Sequence, residues 1–299
     1  MTNSLSLIES APTTSHHPII VFQTPSTRAL TVGYIKKTDT AETFIPCRLN
    51  LGATREDDTF AATVESLKLP QVQTLLKKYA PTEISTVTLL RETIACHLSL
   101  ALGRVGIPVH YGDCFIGANH VKDGNSITTS YAYENVEGLN PEGLWIVADS
   151  IAAGRNLIAT MDSLLSKFHP KELLFIVPIG NRYGINLLSA AIAKYNIPTT
   201  FVVWGALMGL NPVNKYDEPW GLPDCEPVDT RDQKTFINMY AKDLCVGGDF
   251  GNDYYCPSLA MKLYEAQLAE LSITPKIPSV DEILQTYTRE DLVEREEKG

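Results

Sequence analysis

The chain has 299 residues, 44% hydrophobic and 20% charged, which is enough apolar material for one large core or two modest ones. A formal net charge of −10 argues against broad electrostatic binding to nucleic acid or to an anionic membrane, although a single cleft can still be positive. No uninterrupted apolar run reaches the length of about 18 residues that a membrane helix needs.

Residues 1–17 are rich in Ser and Thr and lack a basic flank followed by a long apolar stretch, so they are expected to be a flexible leader and not a secretory signal. Residues 18–272 are expected to form a single domain. Its first segments, 18–22 and 29–34, are predicted to be extended, and a helical pattern follows that is interrupted at Pro70. From about residue 85 the chain alternates short apolar runs with helix-period segments. The runs cover 86–90, 107–111, 144–148, 173–179 and 199–204. Between the last three lie two amphipathic helices. One carries Leu157, Ile158, Met161, Leu164, Leu165 and Phe168 at spacings of three and four; the other carries Ile185, Leu188, Ala191, Ile192 and Tyr195.

Strands that read as continuous apolar runs, each followed by a helix, predict an α/β fold with a central parallel sheet covered by helices on both faces. Right-handed crossovers then bring the loops at the carboxyl ends of the strands to one edge, where ligands of such sheets bind. After this core, 210–225 is rich in Pro, Gly and Asn and reads as a long loop. Helical patterns return over 231–242 and 258–271, and 273–299 is a charged tail.

The most informative stretch is Leu144-Trp-Ile-Val-Ala-Asp149-Ser150-Ile-Ala152-Ala153-Gly154-Arg155-Asn156-Leu157. An apolar strand ends in a carboxylate, passes through small residues and enters a helix near Asn156, the expected cap. A carboxylate accepts hydrogen bonds from two sugar hydroxyls at once. Small residues let backbone N–H groups approach a phosphate, and a helix N-terminus adds roughly half a positive charge. This pattern fits a phosphorylated sugar, with Asp149 at the ribose and Ser150 to Asn156 at the phosphate. The competing reading is a plain strand end and turn.

The stretch resembles the ribose-phosphate loop of the uracil phosphoribosyltransferases, Asp-Pro-Met-Leu-Ala-Thr-Gly-Gly-Ser, a type I phosphoribosyltransferase family. Further similarities come in the family's order. Thr88-Leu-Leu-Arg91-Glu-Thr93 resembles Ile-Leu-Arg-Ala-Gly, and Phe175-Ile-Val-Pro-Ile-Gly-Asn-Arg-Tyr-Gly184-Ile resembles the next strand and its Glu-Gly-Ile turn. Gly209-Leu-Asn211 matches Gly-Leu-Asn, and Gly248-Asp249-Phe-Gly251-Asn resembles the closing Gly-Asp-Ala-Gly-Asp. The similarity spans roughly residues 85–255.

The resemblance implies a type I phosphoribosyltransferase-like fold with a smaller hood region. It also implies transfer of ribose 5-phosphate from 5-phosphoribosyl 1-diphosphate to a nitrogenous base, with Mg²⁺ on the diphosphate. Asp149 would hold ribose hydroxyls, Arg91 would neutralise the departing diphosphate, and Asp249 would act near the metal–diphosphate or the base. Lys122 is a further diphosphate candidate, Asn211 and Gly248 are substrate-binding candidates, and a cytoplasmic homodimer is expected.

The chain departs from the family where Gly154-Arg155-Asn156-Leu157 replaces Thr-Gly-Gly-Ser, and where 212–242 is inserted after Asn211. The acceptor, uracil or another base, therefore stays open. So does a catalytically inactive nucleotide- or ribose-phosphate-binding regulator on the same scaffold. A dinucleotide enzyme is disfavoured, because no G-x-G-x-x-G turn follows the first strand.

The remaining chemistry-bearing residues have blander readings. Cys47, Cys96, Cys114, Cys225, Cys245 and Cys256 show no C-x-x-C pairing and are expected to be reduced thiols. Cys96 and His97 are neighbours whose side chains diverge, so they read as a core thiol and a separate histidine. His110 and His120 stand near strand ends as minor ligand candidates. Asp217, Glu218, Asp224, Glu226, Asp229 and Asp232 make the inserted region acidic, either a solvated face or a lid. Tyr216 and Trp220 can stack on a flat ring, whereas Trp204 reads as core.

Overall fold

In the computed structural model, residues 6–10, 17–31, 33–37, 42–46, 50, 52–123, 126–210, 217–218 and 226–230 are described. Ser6–Ser10 (β1) lies antiparallel to Ile19–Gln23 (β2), and Pro25–Thr31 (α1) follows. Gly33–Lys37 (β3) and Glu42–Pro46 (β4) form a hairpin. Gly52–Lys68 (α2) and Pro70–Leu76 (α3) are separated where Pro70, which has no N–H to give, opens the second helix. Ile84–Leu89 (β5) leads through a 3-10 turn, Glu92–Cys96, into Leu98–Arg104 (α4). Gly112–Asp123 (β6) and Ser126–Asn135 (β7) pair antiparallel. Then come Leu144–Ala148 (β8), Arg155–Leu165 (α5), Glu172–Val177 (β9), Gly180–Asn181 (β10), Arg182–Ala193 (α6) and Thr199–Trp204 (β11). Ala206–Leu210 (β12), Asp217–Glu218 (β13) and Glu226–Pro227 (β14) complete the described elements.

The main sheet has the order β1-β2-β11-β9-β8-β5-β6-β7. Every pair from β2 to β6 is parallel, and the two edges, β1 and β7, are antiparallel additions. The central strands are buried on both faces, which is why they read as unbroken apolar runs. Alternate residues serve different layers. Trp145 and Val147 join Phe175, Phe201 and the apolar stripes of α5 and α6 on one face. Leu144, Ile146 and Ala148 join Trp204 and the apolar residues of α1 to α4 on the other. Phe175 and Phe201 stack with ring centroids 4.9 Å apart, and each buried side chain of this size contributes about 1.5–3 kcal/mol through its removal from water. A smaller sheet joins β10 to β12, with β13 and β14 antiparallel to β12.

The α/β sheet with helices on both faces is as expected, but two local strand readings are corrected. Residues 29–34 are not one extended segment: α1 ends at Thr31 and β3 begins at Gly33. The missed signal is a helix start, with Pro25 in the first turn and the Thr24 hydroxyl accepting from Thr27 N–H at 3.2 Å. Residues 107–111 are not a strand. Ile107 N–H closes α4 by donating to the Leu102 carbonyl at 2.9 Å, Tyr111 N–H reaches the Ile84 carbonyl at 2.8 Å, and β6 starts only at Gly112. The long β6–β7 hairpin was not anticipated, because β7 is largely exposed and its sequence has no apolar run. Within the expected leader, Ser6–Ser10 forms the edge strand β1. The helical patterns at 231–242 and 258–271 and the tail 273–299 lie outside the described residues.

Candidate functional site

Strands β5 and β8 are parallel neighbours, with Thr88 opposite Ala148 at their carboxyl ends. From there the chain departs in opposite directions. After β5 it passes through α4 to β6, the neighbour on one side; after β8 it passes through α5 to β9, the neighbour on the other. The two crossover helices also pack on opposite faces of the sheet. The backbone follows suit. Leu90 N–H donates to Ile116 O of β6 at 2.7 Å, and Asp149 N–H donates to Ile176 O of β9 at 3.3 Å. Such a reversal of strand order opens a crevice between two loops, and ligands of open α/β sheets bind there. The crevice lies between the Leu90–Arg91 loop, whose joining peptide bond is cis, and the loop from Asp149 to Gly154.

Thr93 ties the floor of the crevice. Fully buried in the 3-10 turn, its hydroxyl lies 2.5 Å from the Leu89 carbonyl and 3.1 Å from the Ala148 carbonyl, one contact on each side of the strand reversal. Arg91, the residue before that turn, is exposed, and its guanidinium has no ion-pair partner among the described residues.

The loop after β8 engages some of its amides and leaves others without a partner among the described residues. Asp149 is half-buried, and its Oδ1 accepts from the Ser150 N–H at 2.9 Å. The Ser150 hydroxyl is enclosed and has no hydrogen-bond partner among the described residues. Gly154 caps α5 at φ +72°, a left-handed conformation that suits glycine, and no side chain caps the helix. Asn156 is therefore not the cap. It is the second residue of α5, and its Oδ1 accepts from the Thr129 hydroxyl of β7 at 3.0 Å. That contact fastens the β6–β7 hairpin beside the helix start. Any helix leaves its first four N–H groups without intrahelical partners. Here the N–H groups of Gly154, Arg155, Asn156 and Leu157 have no partner among the described residues, and those of Ala152 and Ala153 extend the series. Arg155, first in the helix, is exposed and without an ion pair among the described residues.

A residue that sequence reasoning passed over holds this loop from behind. Asn181 is 2% exposed, and its Nδ2 donates to the carbonyls of Ile151 at 3.0 Å and Ala152 at 2.7 Å. Its Oδ1 accepts from Gly184 N–H at 2.8 Å and so caps α6. The legible signal was Asn followed by a glycine three residues on, at a strand-to-helix turn. At Gly184 a Cβ would lie 2.0 Å from the Ala152 carbonyl oxygen, so only glycine admits the loop there.

Asp149, Ser150, Ala152, Ala153, Gly154, Arg155 and Asn156 are thus gathered on one loop and helix start, and Arg91 stands on the neighbouring strand end. Lys122 lies near the carboxyl end of β6, with its side chain outside those described. Asn211, Gly248 and Asp249 lie outside the described residues, as do His120's side chain, Tyr216, Trp220, Asp224 and Asp232.

The other candidates sit elsewhere. His110 precedes β6 at the amino end of the sheet, where its ring meets Asp113 Oδ1 at 2.7 Å. Asp113 also accepts from the Thr86 and Ser99 hydroxyls at 2.6 and 3.0 Å. Cys96 is core, and His97 pairs with Glu56 at 2.9 Å. Trp204 is core, donating to the Ser66 hydroxyl at 2.8 Å. Glu226 of the acidic region grips Arg182, the first residue of α6, through both carboxylate oxygens.

Similar solved structures include phosphoribosyltransferases. A purine phosphoribosyltransferase from Pyrococcus horikoshii is 14% identical at a TM-score of 0.32, covering 50% of this chain and 81% of its own. An adenine phosphoribosyltransferase from Trypanosoma brucei, solved with AMP, pyrophosphate and ribose 5-phosphate, is 11% identical at a TM-score of 0.41, over 67% of this chain and 86% of that one. An adenine phosphoribosyltransferase from Saccharomyces cerevisiae is 13% identical at 0.36, over 58% and 96%. None of these three is a uracil enzyme. No family model matches the chain, and no curated protein matches it. Among the described residues, no helix is long and apolar enough to cross a membrane, and no group of three or more His, Cys, Asp or Glu residues is placed to hold a metal ion.

Proposed function

We propose that the chain is a phosphoribosyltransferase-like enzyme that transfers ribose 5-phosphate from 5-phosphoribosyl 1-diphosphate to a nitrogenous base. The observation that carries this reading is the pairing of a half-buried carboxylate, Asp149, with open amides from Ala152 to Leu157 at the reversal of strand order. A carboxylate suits the two ribose hydroxyls, and the amides with the helix dipole suit the 5-phosphate.

In the reaction, a ring nitrogen of the base forms a bond to C1 of the ribose as the C1–oxygen bond to diphosphate breaks. Diphosphate leaves with the bonding electron pair, and the ring N–H proton of the base passes to water or to the departing diphosphate. Positive charge builds on the ribose in the transition state, so the protein's work is positioning and charge stabilisation. Arg91 faces the departing diphosphate across the crevice, and Asp149 holds the sugar while lending negative charge nearby. Mg²⁺ takes most of its ligands from phosphate oxygens and water and needs only one or two carboxylates, so Asp149 fits such an ion. Bound on the diphosphate, the ion would neutralise leaving-group charge.

Titration calorimetry of the chain with 5-phosphoribosyl 1-diphosphate and Mg²⁺ tests donor binding. Consumption of the donor with a panel of pyrimidine and purine bases then identifies the acceptor. A chain that binds the donor but consumes it with no base is the non-catalytic regulator. Arg155, which stands where the resembling loop has a glycine, suits either reading: it can pair with a phosphate through its guanidinium or fill the site. A chain that does not bind the donor is neither.

A further inference from the structure

Peptide planes in the Asp149–Gly154 loop have a fixed consequence for its amides. In a trans peptide the C=O of one residue and the N–H of the next point in opposite directions. Asn181 Nδ2 holds the Ile151 carbonyl at 3.0 Å and the Ala152 carbonyl at 2.7 Å, spending one N–H on each. The Ala152 and Ala153 N–H groups must then point away from Asn181. These are the two amides that extend the ordinary open series of the α5 N-terminus, and neither has a hydrogen-bond partner among the described residues. Asn181 N–H donates to the Ile151 carbonyl as well, at 3.1 Å, and Ile151 N–H donates to Ile179 at 2.8 Å, so the loop is pinned on its α6 side. Buried polar groups hold such geometry because leaving either carbonyl unpaired is costly.

We infer that Asn181 is a positioning residue. It rotates two peptide planes so that Ala152 and Ala153 offer their N–H groups to the phosphate end of the ligand, and it sets this orientation from the N-cap position of the neighbouring helix α6. The inference rests on the reading of the loop as a phosphate site and deepens it. Because the same side chain caps α6 through Gly184, phosphate binding is coupled to the seating of that helix.

The test uses the full chain, ¹⁵N-labelled, titrated with inorganic phosphate and with ribose 5-phosphate. In the wild type, the amide signals of Ala152 and Ala153 are expected to shift together with those of Gly154 and Arg155. Asn181→Ser stays neutral and keeps a helix-capping oxygen but loses both donors. It is expected to weaken ribose 5-phosphate binding by about tenfold and to abolish the Ala152 and Ala153 shifts while those of Arg155 and Asn156 persist. A loss of affinity from mere loosening of the fold would reduce all of these shifts together, which would overturn the inference. Wild-type binding with silent Ala152 and Ala153 amides overturns it without any variant, as does an Asn181→Ser protein with unchanged shifts and affinity. A wild type that binds neither ligand overturns the phosphate-site reading and this inference together.

Discussion

At Asp149, one carboxylate combines half-burial, a hydrogen bond from the following N–H, and a place at the end of a fully buried strand. Replacement by Asn removes the charge and one acceptor while keeping the shape. Asp149→Asn is expected to lower affinity for 5-phosphoribosyl 1-diphosphate by about 1–3 kcal/mol, the scale of a charged hydrogen bond. Calorimetry showing unchanged affinity would remove Asp149 from the site. A second carboxylate, Asp113, bears on stability instead. Burial pushes its pKa up, but hydrogen bonds from Thr86 and His110, the His110 charge and the Ser99 hydroxyl together hold it below the ordinary 3.8. A folded-state value below the unfolded one gives stabilisation that is complete above the unfolded value and is lost as pH falls through the folded one. Thermal melts taken from about pH 5 to about pH 2 should fall more steeply for the wild type than for Asp113→Asn. Parallel slopes would show that the cluster contributes nothing in that range.

The element that decides the loop's shape is the start of α6, a helix with no sequence mark of function beyond its cap. Asn181 and Gly184 grip the backbone of residues that belong to another crossover, thirty residues earlier. Alanine is the better helix former by about 1 kcal/mol, so an isolated α6 would gain from Gly184→Ala. In the folded chain the added Cβ would meet the Ala152 carbonyl at 2.0 Å and the Ile151 Cγ2 at 2.8 Å, and backbone cannot rotate out of the way. The net effect is expected to be destabilisation of roughly 1–3 kcal/mol together with weaker ribose 5-phosphate binding, read by denaturant melts and calorimetry. Wild-type values in both measurements would mean that the two crossovers do not abut at this glycine. Thr93 plays the matching part on the other side of the crevice, joining the last carbonyls of β5 and β8 with one hydroxyl.

On the scale of the whole molecule, a ligand in the crevice bridges the two halves of the sheet, one loop from each. Anything that binds only the folded state stabilises it by mass action, by about 2.7 kcal/mol at a hundred times Kd. The chain's Tm is therefore expected to rise by several degrees with saturating 5-phosphoribosyl 1-diphosphate, and a free base alone should do much less. A Tm indifferent to the donor at every concentration would argue against a site at the crevice. Much of this architecture was legible beforehand. Apolar runs such as 144–148 and 199–204 are buried on both faces, and burial on both faces leaves an unmistakable pattern. Pattern failed where the environment is mixed. The β6–β7 hairpin is largely exposed along β7 and alternates without a run, and in 107–111 Ile107 closes a helix while Val109 and Tyr111 are exposed, so an apolar run there marks no buried strand.

The same division holds at the site. The amino-acid order alone placed a carboxylate, small residues and a helix start in succession, because local spacing follows from covalent geometry. It could not place Asn181 behind that loop or Thr93 across the strand reversal. Those contacts exist only when strands distant in the chain become neighbours, and which strands do so is set by the packing of two helical layers on one sheet.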